Sequence, residues 1–331
     1  YDFWNVCEEE NFDIDQIIDN FVYYYYYIFD ARCNRGESVG FDKLGKNHNE
    51  YLKVNKKKFI KNLKIILNKV NKISRKIFFQ SIHLAYAYSL GRTFDDIPII
   101  VFHLHNPIKK LTDELVNDFP NAFLLHNIRD PLQGLGSFIK AKIKNDNFNV
   151  NSLLHMLDNI FNSIPISNKY NNQTYAIRLE DLHLRSEEIL QEFCNIMDIS
   201  WSNRLLESTF NGKKWWNLKG ATPVSGFNKK IIAKKHDDIF NSFDRFRFRV
   251  LLKSKCKAWG YKYDDFNDYF LMKELLKFPF KFESYLANNS VSQIDSRKKI
   301  KNFILEYWNN YHFDKNKMKN CVNLINLNDK N

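Results

Sequence analysis

The sequence predicts an α/β fold, a parallel sheet flanked by helices, and three observations carry that expectation. Short runs rich in β-branched and aromatic residues, Ile97–Leu104, Ala122–Ile128 and Tyr175–Leu179, read as buried strands. Between them lie stretches with apolar residues at three- and four-residue spacing, giving the order strand, helix, strand, helix. That alternation is the pattern of a doubly wound sheet. The third observation is size: 331 residues, 44% of them hydrophobic, can close a large core.

Residues 54–70 set Phe59, Ile60, Leu63, Ile66, Leu67 and Val70 on one helical face, with Lys56, Lys57, Lys61 and Lys64 mostly on the other. Those lysines invite a nucleic-acid reading, but nothing opposite them can stack a base, and a solvated face is the simpler account. The run Ile97–Leu104 follows a turn at Asp95 and Asp96. The helix after it carries Leu111, Leu115 and Val116 and ends before Phe119-Pro120, because proline disfavours helical geometry in the residue ahead of it. Beyond the second strand, Asp130-Pro131 opens a helix with Leu132, Leu135, Ile139 and Ile143 on one face. Ser186-Glu187-Glu188 reads as an N-cap and an acidic first turn leading into Ile189, Phe193, Ile196 and Met197. Residues 209–230, rich in Gly, Asn, Lys and Trp, have little periodicity and read as a long loop that needs a function. Helix returns over 235–258. Residues 1–265 are expected to form the main domain, and 266–331 a helical C-terminal extension outside the sheet.

Fifty Lys and Arg against 38 Asp and Glu leave a formal charge of +12, which favours anionic partners without choosing among them. Cys7, Cys33, Cys194, Cys256 and Cys321 are odd in number, scattered and without a CxxC pair, so neither a disulfide framework nor a zinc site is expected. A reducing, cytoplasmic compartment fits best. The tyrosine-rich run Phe21–Phe29 is far shorter than the roughly 20 residues of a bilayer span, and no transmembrane segment is expected. The opening at Tyr1 reads as the middle of a longer protein.

The segment from Phe123 to Pro131 is the most informative. A buried strand delivers Arg129 to the carboxyl edge of the sheet, where ligands of open α/β sheets bind. Asp130 is placed to cap the next helix, and Pro131 occupies its first turn, where a missing N–H is harmless. A helix start beside a guanidinium, with free backbone donors, suits a phosphate. Gly134 and Gly136 weaken this helix by about 1 kcal/mol each relative to alanine, which points to close approach by a ligand or another backbone. Ser137 adds a hydroxyl. The competing account is an arginine paired with a carboxylate, followed by an ordinary capped helix. A second cationic candidate is Asn211-Gly212-Lys213-Lys214-Trp215-Trp216, two lysines on a glycine-hinged loop beside aromatic faces, against which stands the reading of tryptophans as core anchors and lysines as solvated.

Three stretches together resemble the sulfotransferases that use 3′-phosphoadenosine 5′-phosphosulfate (PAPS). Arg129-Asp130-Pro131 with Ser137 is similar to that family's 3′-phosphate signature, and Asp118 to Phe123 to its lead-in. Tyr175 to Leu182, with the helix to Met197 and Ile199-Ser200-Trp201, resembles the family's Arg-Tyr-Glu-Asp-Leu strand, with Leu179 standing where tyrosine is usual. Residues 211–216 look like the Gly-Lys-x-Trp loop of its bacterial and carbohydrate-type members. The resemblance covers about residues 98–263. It implies a P-loop NTPase-like three-layer sandwich, PAPS as donor, no metal, and an acceptor bearing a hydroxyl or amine. Arg129 and Ser137 would hold the 3′-phosphate, with Gly212, Lys213 and Lys214 as further donor contacts.

Sulfuryl transfer depends on positioning and charge stabilisation and is helped by a base that titrates near neutral pH. His105 at the end of the first strand is the candidate, and His105 and Pro107 match the Lys-Thr-His-x-Pro of cytosolic members, with His103 in place of the lysine. Glu8, Glu9 or Glu10 is the alternative base. The family's 5′-phosphosulfate loop has no counterpart, since Gly36 to Gly40 lacks the following Lys or Thr-Thr. The resemblance therefore implies a domain truncated before or at that loop. Two other classes compete: a catalytically silent module that keeps the nucleotide pocket, and a basic nucleic-acid-binding protein, for which no motif is visible.

Overall fold

The strands are β1 (Leu124–Ile128), β2 (Thr174–Arg178), β3 (Thr209–Phe210), β4 (Lys213–Lys214) and β5 (Asn323–Leu324). The helices are α1 (Ile14–Tyr24), α2 (Lys56–Leu67), α3 (Arg75–Ser89), α4 (Lys109–Asp118), α5 (Pro131–Lys144), α6 (Val150–Asn162), α7 (Leu179–Leu184), α8 (Ser186–Met197), α9 (Ser242–Leu251), α10 (Lys253–Ala258), α11 (Tyr269–Leu275) and α12 (Gln293–Phe313). This computed structural model describes residues 13–29, 44–47, 49–50, 52–94, 99–104, 109–162, 173–216, 225–232, 236–286, 293–313 and 323–325. The fold is mixed α/β and mostly helical, and the chain divides into two units, residues 1–122 with 202–226 and residues 123–201 with 227–331.

The first unit is built on α1, α2 and α3. Asp13 and Gln16 form a reciprocal capping box at the start of α1, and the Asn55 side chain accepts the Lys58 N–H at 3.0 Å to start α2. The predicted apolar face of α2 buries Phe59, Leu63 and Leu67 against Ile17, Ile18, Phe21 and Phe78. Burial of side chains of this size contributes about 1.5–3 kcal/mol each. Arg75 joins α3 to α4 through Glu114 and Asp118 at 3.0 and 2.7 Å, and α4 ends before Phe119-Pro120 as expected.

The expected strand Ile97–Leu104 is described only from residue 99, and that part is not a strand. Residues 99–104 form no ladder, and Ile99 and Val101 are 60% and 86% exposed. Phe102 instead packs its ring 5.0 Å from Phe79 on α3, so the aromatic preference is met by a helix face. A β-favouring composition becomes a strand only where a partner edge is available.

In the second unit, β1, β2 and β5 form a parallel sheet in that order. Leu124 pairs with Thr174 and Ile128 with Arg178, so the strands end level. The core joins Leu135 and Ile139 of α5, Leu153, Leu157 and Phe161 of α6, Phe248 and Leu251 of α9, and Ile300, Ile304 and Trp308 of α12. The described parts of 266–331 are mostly helical, as expected, but not outside the sheet and core: α12 packs in this core, and β5 pairs with β2 inside the sheet. Three smaller expectations are corrected. The N-cap of α8 is Arg185, without a side-chain cap bond, and Ser186 is its first helical residue. The helix expected from 235 begins at Ser242, where an Asn241–Asp244 capping box starts it, and it breaks between Leu251 and Lys253. The stretch 209–230 contains the β3–β4 hairpin.

Candidate functional site

The site grows from the level ends of β1 and β2. Arg129 follows the last residue of β1, and the chain then enters α5 through Asp130 and Pro131. Asp130 caps the helix as expected, its side chain accepting the Gln133 N–H at 2.9 Å. Pro131 has no N–H, and Gly134 donates to the Asp130 carbonyl at 2.9 Å. Of the backbone donors expected at this helix start, those of Gln133 and Gly134 are therefore already taken. Burial, with Glu180 nearby, pushes the Asp130 carboxyl up despite the Gln133 bond.

Arg129 itself is half-buried, and its guanidinium makes no hydrogen bond or ion pair with any described residue. The carboxylates around it are committed elsewhere. Glu180, in the first turn of α7, accepts the Tyr261 hydroxyl at 2.7 Å and the Asp130 N–H at 3.1 Å. Asp181 pairs with Arg178 at 2.5 Å, and Arg178 also donates to the Gly260 carbonyl at 2.9 Å. The Tyr261 phenol is driven up by burial and by Glu180, so it stays a neutral donor.

His183 stands in the field of Arg129 and Glu180. Its Nδ1 accepts the backbone N–H of Asn228 at 2.8 Å. A backbone N–H can only donate, so the ring proton sits on Nε2. Burial lowers the imidazole first, Glu180 raises it, and Arg129 lowers it again.

Ser137 lies on α5 with its Oγ 3.3 Å from Nε2 of His236. The two helix glycines have different reasons. A Cβ on Gly136 would stand 2.6 Å from Cγ of His236, so the expected close approach is made by that ring. A Cβ on Gly134 would meet nothing within 4 Å, which leaves open space three residues before Ser137 on the same helical face.

No protein-family model matches the chain, and neither curated proteins nor solved structures give a match. The site is accordingly read from its own geometry.

Gly212, Lys213 and Lys214 belong to the first unit. Asn211 and Gly212 both have positive φ, 50° and 76°, and form the turn of the β3–β4 hairpin. Lys213 pairs with Glu50 at 2.6 Å, Lys214 lies 4.3 Å over the Trp216 ring, and Trp216 donates to the Gly45 carbonyl at 2.9 Å. Trp215 packs against the first unit's core. These contacts account for the loop's shape without a ligand. His105 lies outside the described residues, as do Glu8, Glu9 and Glu10. Among the described residues there is no cluster of three or more His, Cys, Asp or Glu fit for a metal, and no helix long and apolar enough to cross a membrane.

Sequence reasoning missed Glu180, His183, His236 and Tyr261. Glu180 carries a signal, because an acidic first turn directly after a strand faces the neighbouring strand's end. His236 carries none.

Proposed function

We propose that this chain is a PAPS-dependent sulfotransferase domain that binds the donor's 3′-phosphate with Arg129 and Ser137, within a sheet-and-helix frame of the P-loop NTPase-like sandwich type. One observation carries the reading: the Arg129 guanidinium, half-buried at the carboxyl end of a parallel strand, has no partner among the described residues. An arginine whose role was to satisfy a carboxylate would hold one, and two stand in its vicinity with other partners. A half-buried guanidinium left open at a sheet edge suits a phosphate dianion, which it grips through two parallel bonds. The open face at Gly134 gives such an anion room beside the helix.

When bound, PAPS supplies an activated sulfuryl group, and this chain's residues hold it by the other end of the nucleotide. Arg129 neutralises the 3′-phosphate and Ser137 orients it, which fixes the donor for in-line attack by an acceptor hydroxyl. His105 is proposed as the base that takes the hydroxyl proton. Adenosine 3′,5′-bisphosphate, the reaction's nucleotide product, tests the reading without needing the acceptor. It should raise the Tm of the wild type, and Arg129→Ala should abolish the rise. An equal rise in the variant rejects the assignment.

A further inference from the structure

His236 is placed with more care than a filler residue needs. It is 5% exposed and sits in the left-handed region with φ 52°, a conformation that costs most side chains about 1 kcal/mol or more. Its carbonyl accepts from both Ile239 and Phe240, at 3.0 and 3.1 Å, which fixes the turn that carries it. Its ring fills the space that the missing Cβ of Gly136 leaves, at 2.6 Å from where that atom would stand. From there Nε2 meets Ser137 Oγ at 3.3 Å. Helix glycine, left-handed backbone and hydrogen bond thus serve one contact.

The chemistry of that contact sets its direction. A phosphate oxygen only accepts, so a serine that binds it must point its hydroxyl proton at it. The serine oxygen is then left to accept from something else. We propose that His236 is a positioning residue for the anion site: its Nε2–H donates to Ser137 Oγ and so directs the serine proton toward a nucleotide phosphate. The relay rests on the sulfotransferase reading above. With the opposite tautomer, Ser137 would give its proton to the imidazole and turn only lone pairs toward the anion, which repels it.

The test is a double-mutant cycle on adenosine 3′,5′-bisphosphate affinity, measured by calorimetry. His236→Asn keeps a residue tolerant of positive φ but is too short to carry a donor to the Nε2 position. Loss of one hydrogen bond to a charged group corresponds to about tenfold or more in affinity, so Ser137→Ala and His236→Asn should each weaken binding by about that factor. The double variant should be no weaker than Ser137→Ala, and His236→Gln, whose amide reaches further, should recover part of the loss. Effects that multiply in the double variant, or a His236→Asn that binds like wild type while Arg129→Ala and Ser137→Ala do not, overturn the relay and leave the sulfotransferase reading standing. Wild type that does not bind, or Arg129→Ala that binds equally, removes both. Nitrogen chemical shifts of the wild-type ring give a check free of folding defects: a neutral imidazole with its proton on Nδ1 overturns the relay.

Discussion

The two glycines of α5 should respond to the same substitution with opposite sign. In Gly136→Ala the new Cβ falls 2.6, 2.8 and 2.9 Å from Cγ, Cδ2 and Cβ of His236. Because the His236 Cβ is among the three, turning the ring does not relieve the clash, and the backbone of a 5% exposed residue must move. Forcing an extra methyl into a packed site costs about 1–3 kcal/mol. Alanine's better helix propensity offsets about 1 kcal/mol of that. Since rotation offers no escape, the upper part of the range applies, and the net loss is about 2 kcal/mol. In Gly134→Ala nothing lies within 4 Å of the new atom, so the propensity gain, up to about 1 kcal/mol, stands alone. At about 2–4 °C per kcal/mol for a domain of this size, Tm should fall by about 4–8 °C in the first variant and rise by about 2–4 °C in the second. Denaturant midpoints at unchanged slope measure the same difference. Shifts of equal sign and size refute the packing argument. The open face also predicts a separation of stability from binding: Gly134→Ala should bind adenosine 3′,5′-bisphosphate more weakly than wild type despite its higher Tm.

Arg247 is fully buried against Asp244 at 2.6 Å, donates to the carbonyls of Leu275, Phe278 and Pro279, and lies 4.3 and 3.8 Å from the ring centres of Phe243 and Phe280. Arg247→Met strands a buried carboxylate and three carbonyls, so the denaturant midpoint should report a loss of about 3–5 kcal/mol; a loss below about 1 kcal/mol contradicts this account. Acid should destabilise the fold before its carboxylates titrate. Burial holds His83, His126 and His183 below the ordinary 6.5, so the unfolded chain takes up more protons as pH falls through 6.5. Stability from these groups is full above 6.5 and declines below it, levelling once the folded-state values are passed. Asp130 and Glu283, pushed up by burial from 3.8 and 4.5, act with the opposite sign: the folded state takes their protons first, which flattens the decline at lower pH. A Tm that stays level from neutral pH to well below 6.5 refutes the assignment.

The legible parts of the fold were those decided locally. The face of α2, the stop of α4 before Phe119-Pro120, and the Asp130 cap with Pro131 in the first turn each follow from residues within one helical turn. So did the two paired strands, since Leu124–Ile128 and Thr174–Arg178 have the apolar content that pairing in a sheet requires. The run from Ile99 to Leu104 has the same content and no ladder, because strand formation is settled by an available edge, which lies elsewhere in the chain. Asn323–Leu324 shows the converse: two residues without a strand pattern join the sheet because β2 offers them an edge. One local signal was there to be read. Asn211-Gly212 between Thr209-Phe210 and Lys213-Lys214 is the dipeptide of a tight hairpin, whose turn needs positive φ at both positions, and both have it.

The site divides along a similar line, and the division bears on how it binds. An aspartate cap followed by proline already limits the backbone's share: proline contributes no N–H, and the carboxylate takes that of Gln133. A helix start of that composition has little left for a phosphate, whatever its dipole. On the proposed reading, anion affinity at this sheet edge rests on side chains, Arg129 first and Ser137 behind it. Such a site should fail abruptly when the guanidinium is removed, where a backbone-lined site would keep part of its affinity. Loss of the nucleotide-induced Tm rise in Arg129→Ala should therefore be complete, and binding should weaken with added salt, as it does when a side-chain cation carries the attraction.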